Sequence, residues 1–393
     1  MRNRIGSLFG FSIVSLVPKL KGIILLPFLV TFLSPEKLSI ISSWNSLSMI
    51  CLYFVSFGFN GVYSIKYFKN DNNLLPLEMQ KLTIFVSFPI ILFISTHMFG
   101  LVGALLPINV SFGAVLSIFF MNYQMTNNSK SYSAAVSVRS FLDLILTVLL
   151  VYVFGYEGRM IALLLSTVGV FILIKRYFGN DLFFSYSKSM FTFDLYTFKK
   201  AIPFVLITLI TYSSLELDKL VFLEWLSPHE HGVYSLNSRL ALLSLAAYEI
   251  LSREYFRDIG MVIKENKFIL FSNYLKSKII PIYCLVLLVF LLVAIVLDGL
   301  VYNEYIVSSK YLIPQILVIF SLNIFKLFYS YLSINHLLDG LNKVYILFAM
   351  LMLLIFSVSM VYENVLSFLY GLVLLNFLLS VLIIYYVDNR KAV

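Results

Sequence analysis

Residues 279–297 read IIPIYCLVLLVFLLVAIVL, an apolar run with Lys276 and Lys278 before it and Asp298 after it. About 20 such residues cross a hydrocarbon core as an α-helix. In lipid every backbone amide must find its partner within the protein, so only helices and closed barrels can cross. A barrel strand alternates polar and apolar residues over about ten positions. Ile279–Leu297 and Tyr345–Met360 are instead apolar on every side, so the chain reads as an all-α polytopic integral membrane protein.

Composition says the same of the whole chain. Of its 393 residues 60% are apolar and only 12% charged, with a mean hydropathy of +0.93. No water-soluble core of this length holds so much apolar surface, so lipid serves as solvent. Cys51 and Cys284 both lie in apolar runs, where cysteine behaves as a small hydrophobe. The first apolar stretch runs past signal-peptide length with no small-residue cleavage site behind it, so it reads as a span.

Charged and turn-forming clusters divide the chain into about twelve spans. The first six are expected near Ile5–Leu33, Ser39–Ser64, Leu82–His97, Gly100–Tyr123, Ser133–Phe154 and Met160–Ile174. The second six are expected near Ala201–Glu224, Gly232–Phe256, Ile279–Leu297, Tyr311–Ile334, Val344–Val361 and Val365–Val387. With both termini cytosolic, 21 of the 29 Lys and Arg residues flank the inner ends of spans. Only Lys37, Arg159 and Lys310 fall outside, and Lys19, Lys21, Lys219, Arg239 and Lys326 fall within spans. A missing helix in the first half would reverse every later loop and blur this asymmetry. The net charge of +9 is thus mainly a topology signal, and the basic residues form no soluble face for nucleic acid. Lys175–Lys200 and Arg257–Lys278 interleave Lys with Phe and Tyr and are expected to lie along the inner head groups.

A short repeat supports two equal halves. Leu33-Ser34-Pro35-Glu36, with Ser42 and Leu47 downstream, recurs as Leu226-Ser227-Pro228-His229 with Ser235 and Leu240. Six spans is an even number, so the halves would share one orientation, related by an axis along the membrane normal. The expected division is a six-helix lobe over 1–178, a cytosolic linker over 179–200 and a second six-helix lobe over 201–393.

Charges at membrane depth are costly and mostly face a protein interior or wet cavity. Lys19 and Lys21 sit about 21 Å into the first span, too deep to snorkel easily, and Pro18 and Pro27 are candidate kinks. Lys326 lies about 22 Å into the tenth span, and Arg239 about 12 Å below the outer face in the eighth. The seventh span carries Glu216, Asp218 and Lys219, with Glu216 and Lys219 on one face at i, i+3. Arg139 with Asp143, and Glu249 with Arg253, are spaced i, i+4 and read first as neutralised structural pairs. His229 and His231 flank Glu230 in an external loop and read as solvated, so no metal site is expected. The phosphate-loop, H-E-x-x-H and G-x-S-x-G patterns are absent, so no catalytic residue and no ATP-driven step is expected of this chain. Lys19, Lys21, Arg139, Lys219, Arg239 and Lys326 together would make a cavity attractive to an anion.

The order of these features resembles the O-antigen (Wzx-type) polysaccharide flippases of the oligosaccharide-lipid and multidrug exporter superfamily. The resemblance runs over Pro18-Lys19-Leu20-Lys21-Gly22 and Pro27, Leu33-Ser34-Pro35-Glu36, and Phe57-Gly58-Phe59-Asn60-Gly61. It continues with Lys199-Lys200-Ala201-Ile202-Pro203, the pair Asp218-Lys219, and His231-Gly232-Val233-Tyr234-Ser235. Ser39 stands where a glycine is common, and the loops are short. The resemblance implies two MATE-like six-helix lobes around a cationic cavity, not an enzyme. It implies movement of undecaprenyl-diphosphate-linked oligosaccharide from inner to outer leaflet of the bacterial inner membrane. Glu216 or Asp218 would couple the cycle to H+ or Na+, with no other cofactor, and the partners would be the lipid bilayer, a polysaccharide polymerase and a chain-length regulator. The rival within the superfamily is an ion-coupled multidrug exporter, which wants acidic rather than basic depth. A membrane polymerase would want a large external loop with Arg-rich motifs, which this sequence lacks.

Overall fold

The computed structural model describes residues 21–22, 24–56, 58–68, 74–125, 129–177, 191–264, 272–334 and 342–390. Lys19, most of the 179–200 linker and the side chains of Glu249 and Arg253 lie outside the described residues. The chain divides into two compact units, Met1–Tyr212 and Ser213–Val393. The boundary falls at Tyr212, within the expected seventh span.

In the first unit, α1 (24–32) is followed by α2 Pro35–Ser56, α3 Phe59–Phe68, α4 Leu75–Phe99, α5 Leu105–Met125, α6 Ser129–Phe154, α7 Tyr156–Tyr177 and α8 Leu195–Tyr212. The second unit opens on a π-helical turn, Ser213–Leu217, and continues with α9 Asp218–Trp225, α10 Pro228–Lys264, α11 Ile280–Val296, α12 Ser309–Ile334, α13 Asn342–Tyr362 and α14 Val365–Arg390. Each expected span has a helix here. Among the described residues seven stretches are long and apolar enough to cross a membrane, and Ile346–Tyr362 is a shorter apolar helix. One of the seven, Leu75–Tyr123, is two helices, because a 3₁₀ turn at Gly100–Ala104 folds α5 back onto α4.

The distribution of side chains is that of a protein in lipid. Leu285, Leu288, Leu292 and Val296 form an exposed apolar stripe along α11, while Ser39, Ser42, Ser43 and Ser46 of α2 are buried. Small polar residues inside let helices approach closely where lipid supplies no hydrophobic drive. In the first unit α6 packs against α7, α2 against α5, and α8 against α2 and α3. In the second unit α12 is central, packed by α10, α11 and α14.

Two elements depart from the sequence reading. The second span breaks at Gly58 (φ 67°), and α3 turns onto α8. A Cβ on Gly58 would sit 2.7 Å from the Ala201 carbonyl, and one on Gly61 would strike the Phe204 ring, so only glycine allows this packing. The external loop after α11 is a hairpin, β1 Val301–Tyr302 paired with β2 Tyr305–Ile306. Asn237 pins it, donating to the Ile306 carbonyl at 3.2 Å and accepting from the Ser308 amide at 2.9 Å.

The two copies of the Leu-Ser-Pro repeat have the same local form: a helix ends just before the leucine, the chain bends there, and proline opens the next helix; Leu226 is extended, with φ −106° and ψ 149°. Proline suits the first helical position because its missing N–H has no partner to lose there. The second copy adds a capping box, with Glu230 Oε2 accepting from the Ser227 amide at 3.1 Å and hydroxyl at 2.8 Å. Those bonds hold the Glu230 carboxyl below its usual range.

Candidate functional site

In the first unit α1 and α6 lie alongside each other. Leu25, Leu29, Leu33 and Val151 share one buried cluster that Phe28 and Leu144 border. Lys21 precedes the end of α1 by the same number of residues as Asp143 precedes the end of α6, about 16 Å at 1.5 Å per residue. The two side chains are therefore level, and Lys21 Nζ donates to Asp143 Oδ2 at 2.5 Å. From α7, Arg159 Nη1 donates to Asp143 Oδ1 and to Thr147 Oγ1, both at 2.5 Å. Arg139, one turn before Asp143 on α6, donates instead to Thr167 Oγ1 of α7 at 3.4 Å.

Two expectations change here. Arg159, assigned to an external loop, is only 7% exposed; it sits one turn inside α7, and its length carries the guanidinium down to a carboxylate. Arg139 stays within electrostatic reach of Asp143, but the Asp143 oxygens are bonded by Lys21 and Arg159, and Arg139 donates to Thr167. The cluster thus holds three basic groups, Lys21, Arg139 and Arg159, around one carboxylate. Tyr53 lies within electrostatic reach of Arg139 and stacks on Tyr212, with ring centroids 3.4 Å apart.

In the second unit the balance is opposite. A π turn spans Ser213–Leu217, and buried Lys219 Nζ donates to the Leu215 carbonyl within it. Lys219 also donates to Glu216 Oε2 at 3.0 Å and stands 3.7 Å from Asp218 Oδ1. Tyr234 of α10 donates its phenol to Asp218 Oδ2. His231, expected in solvent, is fully buried with Nε2 2.8 Å from the Lys219 carbonyl. A small cavity beside Asp218 is lined by Ser214, Ser238 and Gln315, and the Gln315 amide reaches the Tyr234 phenol. Arg239 and Lys326 are partly buried on α10 and α12, each engaged by neighbours, and the charge of Arg239 is felt at Lys219.

Sequence reasoning missed Arg159, Thr147, Thr167, Tyr234 and Gln315. Thr147 carried a signal, since i+4 from Asp143 shares its helix face. Tyr234 stands in a quoted motif that does not name its partner, and the others are brought in by neighbouring helices. Among the described residues no three His, Cys, Asp or Glu side chains gather as metal ligands.

No known family model and no curated protein matches the sequence. Solved structures do. A multidrug resistance MATE family transporter of the MOP superfamily, in its outward-facing conformation, is 14% identical with a TM-score of 0.63, over 98% of this chain and 95% of that one. A Vibrio cholerae MATE transporter is 15% identical with a TM-score of 0.59, over 98% and 96%. A MOP superfamily transporter from Pyrococcus furiosus is 12% identical with a TM-score of 0.57, over 98% and 95%; the reversed polarity of its binding pocket suggests a different function for it. At such identity the likeness shows the fold, which is that of MATE transporters along the whole chain.

Proposed function

We propose that this chain is an alternating-access transporter whose cargo is an anionic lipid-linked oligosaccharide, moved from inner to outer leaflet of a bacterial inner membrane and not chemically altered. The observation that carries this reading is the surplus of positive charge around Asp143. Lys21, Arg139 and Arg159 face a single carboxylate at membrane depth, where a surplus cation is costly and mostly functional. A diphosphate offers the opposite charge and several acceptor oxygens for Arg and Lys donors. The stacked Tyr53 and Tyr212 beside Arg139 supply an apolar platform for a sugar face. The reversed pocket polarity of the Pyrococcus furiosus relative is consistent with this fold hosting cargo of different charge.

The acidic cluster of the second unit suits a coupling role. Glu216 and Asp218 both stand beside Lys219, and a proton or Na+ is a natural ligand of such carboxylates. The same cluster favours the second reading, an ion-coupled multidrug exporter. The two are separated by replacing Arg139 and Lys21 with Gln and following lipid-linked oligosaccharide in cells. Complete units should accumulate on the cytosolic leaflet while protein level holds. Normal surface polysaccharide from the double variant, with drug efflux impaired, would favour the exporter.

A further inference from the structure

Within the first unit α4, α5 and α7 leave a cavity of about 390 Å³ between them. Its walls are almost wholly apolar and largely aromatic. Phe112 of α5 meets Phe171 of α7 edge to face at 5.1 Å, and Phe85 of α4 packs on Phe191 at 5.8 Å. Ser111, also in the wall, turns its hydroxyl to the Pro107 carbonyl at 2.7 Å and presents no polar atom of its own need. The one charged group in the lining is Lys81.

Depth gives the cavity a direction. Lys81 is about 9 Å from the start of α4 and Phe88 about 20 Å; Ser111 is about 21 Å from the end of α5 and Phe171 about 9 Å from the end of α7. All three of these helix ends belong to the face that the charge distribution assigns to the cytosol. The cavity therefore runs along the membrane normal through the inner leaflet, its ammonium at the shallow end and aromatic rings below. Phe85 and Phe191 on its border are 70% and 60% exposed, so it opens sideways to lipid.

The charges around the shallow end favour an anion. Lys175, one turn beyond Phe171 and on the same face of α7, is exposed there with Arg176. Glu78, whose charge is felt at Lys81, accepts from the Thr192 hydroxyl beside Phe191, and Lys81, Lys175 and Arg176 outnumber it at this end.

We infer that this cavity binds one acyl chain of an anionic inner-leaflet phospholipid, with the phosphate at Lys81. A chain lying along the normal fills the aromatic walls, and the head group meets the basic shallow end. A zwitterionic lipid gains the walls without the charge, and one lysine near the surface is worth about fivefold in affinity for an anionic head group. The site is separate from the Lys21–Asp143 cluster and does not depend on the proposed cargo.

The test is native mass spectrometry of the purified full chain, offered phosphatidylglycerol and phosphatidylcholine of identical chains, with undecaprenyl phosphate as a third competitor. The expected result is one retained phosphatidylglycerol, preferred about fivefold over phosphatidylcholine. Lys81→Gln should remove the preference and Lys81→Arg should keep it. Val115→Trp, which fills the cavity, should remove the adduct; if that variant does not fold, the Lys81 pair alone decides. Equal retention of both phospholipids, a preference unchanged in Lys81→Gln, or displacement by undecaprenyl phosphate would overturn the inference.

Discussion

Asp143→Asn tests the buried cluster most directly. The substitution keeps the shape of the side chain and removes its charge. Arg159 and Asp143 have side chains only 9% and 2% exposed, so no water replaces the lost partner. Removing one member of such a pair costs about 3–5 kcal/mol, because the other is left charged and buried. Lys21, at 23% exposure, has partial access to water and adds less. The lower end, about 3 kcal/mol, is expected, since Thr147 still accepts from Arg159. For units of this size that is a fall of about 6–12 °C in the thermal midpoint, measured in detergent by fluorescence. Adding Arg159→Gln to Asp143→Asn should return about 2 kcal/mol, the coupling expected of directly bonded groups. An Asp143→Asn midpoint equal to that of the native chain, or strictly additive single and double variants, would refute the pairing and with it the charge surplus.

Three further outcomes follow from local geometry. Gly58→Ala should lower the thermal midpoint, because an alanine there takes positive φ, worth about 1–2 kcal/mol, and also meets the Ala201 carbonyl. Ser227→Ala should cost about 1 kcal/mol through loss of the cap on α10. Because Glu230 titrates below its usual range in the fold, its contribution is present at neutral pH and fades as pH falls through the carboxylate range, and Ser227→Ala should weaken that pH dependence while the backbone amide of residue 227 keeps part of it. Tyr234→Phe should cost about 1–3 kcal/mol by leaving a buried Asp218 oxygen without its donor, and a midpoint unchanged by it would show that the phenol does not bond there.

The span pattern was legible in the sequence because each signal is local. An apolar run such as Ile279–Leu297 is a helix in lipid whatever surrounds it, and Lys or Arg at a span end marks a side without reference to other helices. The repeat of Leu-Ser-Pro was legible for the same reason: serine and proline set the helix start through their own backbone preferences. Gly58 stood in a quoted motif, but its role as a break was not visible, since the Ala201 carbonyl that forbids a side chain comes from far along the chain.

The charges divide in the same way. That Lys21 and Lys219 are deep, and that Glu216 and Lys219 share a face, follows from 1.5 Å of rise per residue and 3.6 residues per turn. Which carboxylate a deep cation meets does not follow. Arg159 looked external by count and proves buried because α6 and α7 pack together and a long side chain reaches down to Asp143. His231 looked solvated and is enclosed by α9. The sequence by itself determines which segments form apolar helices and how far along each helix a charge lies, because those signals are local. Partner choice depends on distances between helices that are remote in sequence, and only the tertiary structure sets those distances.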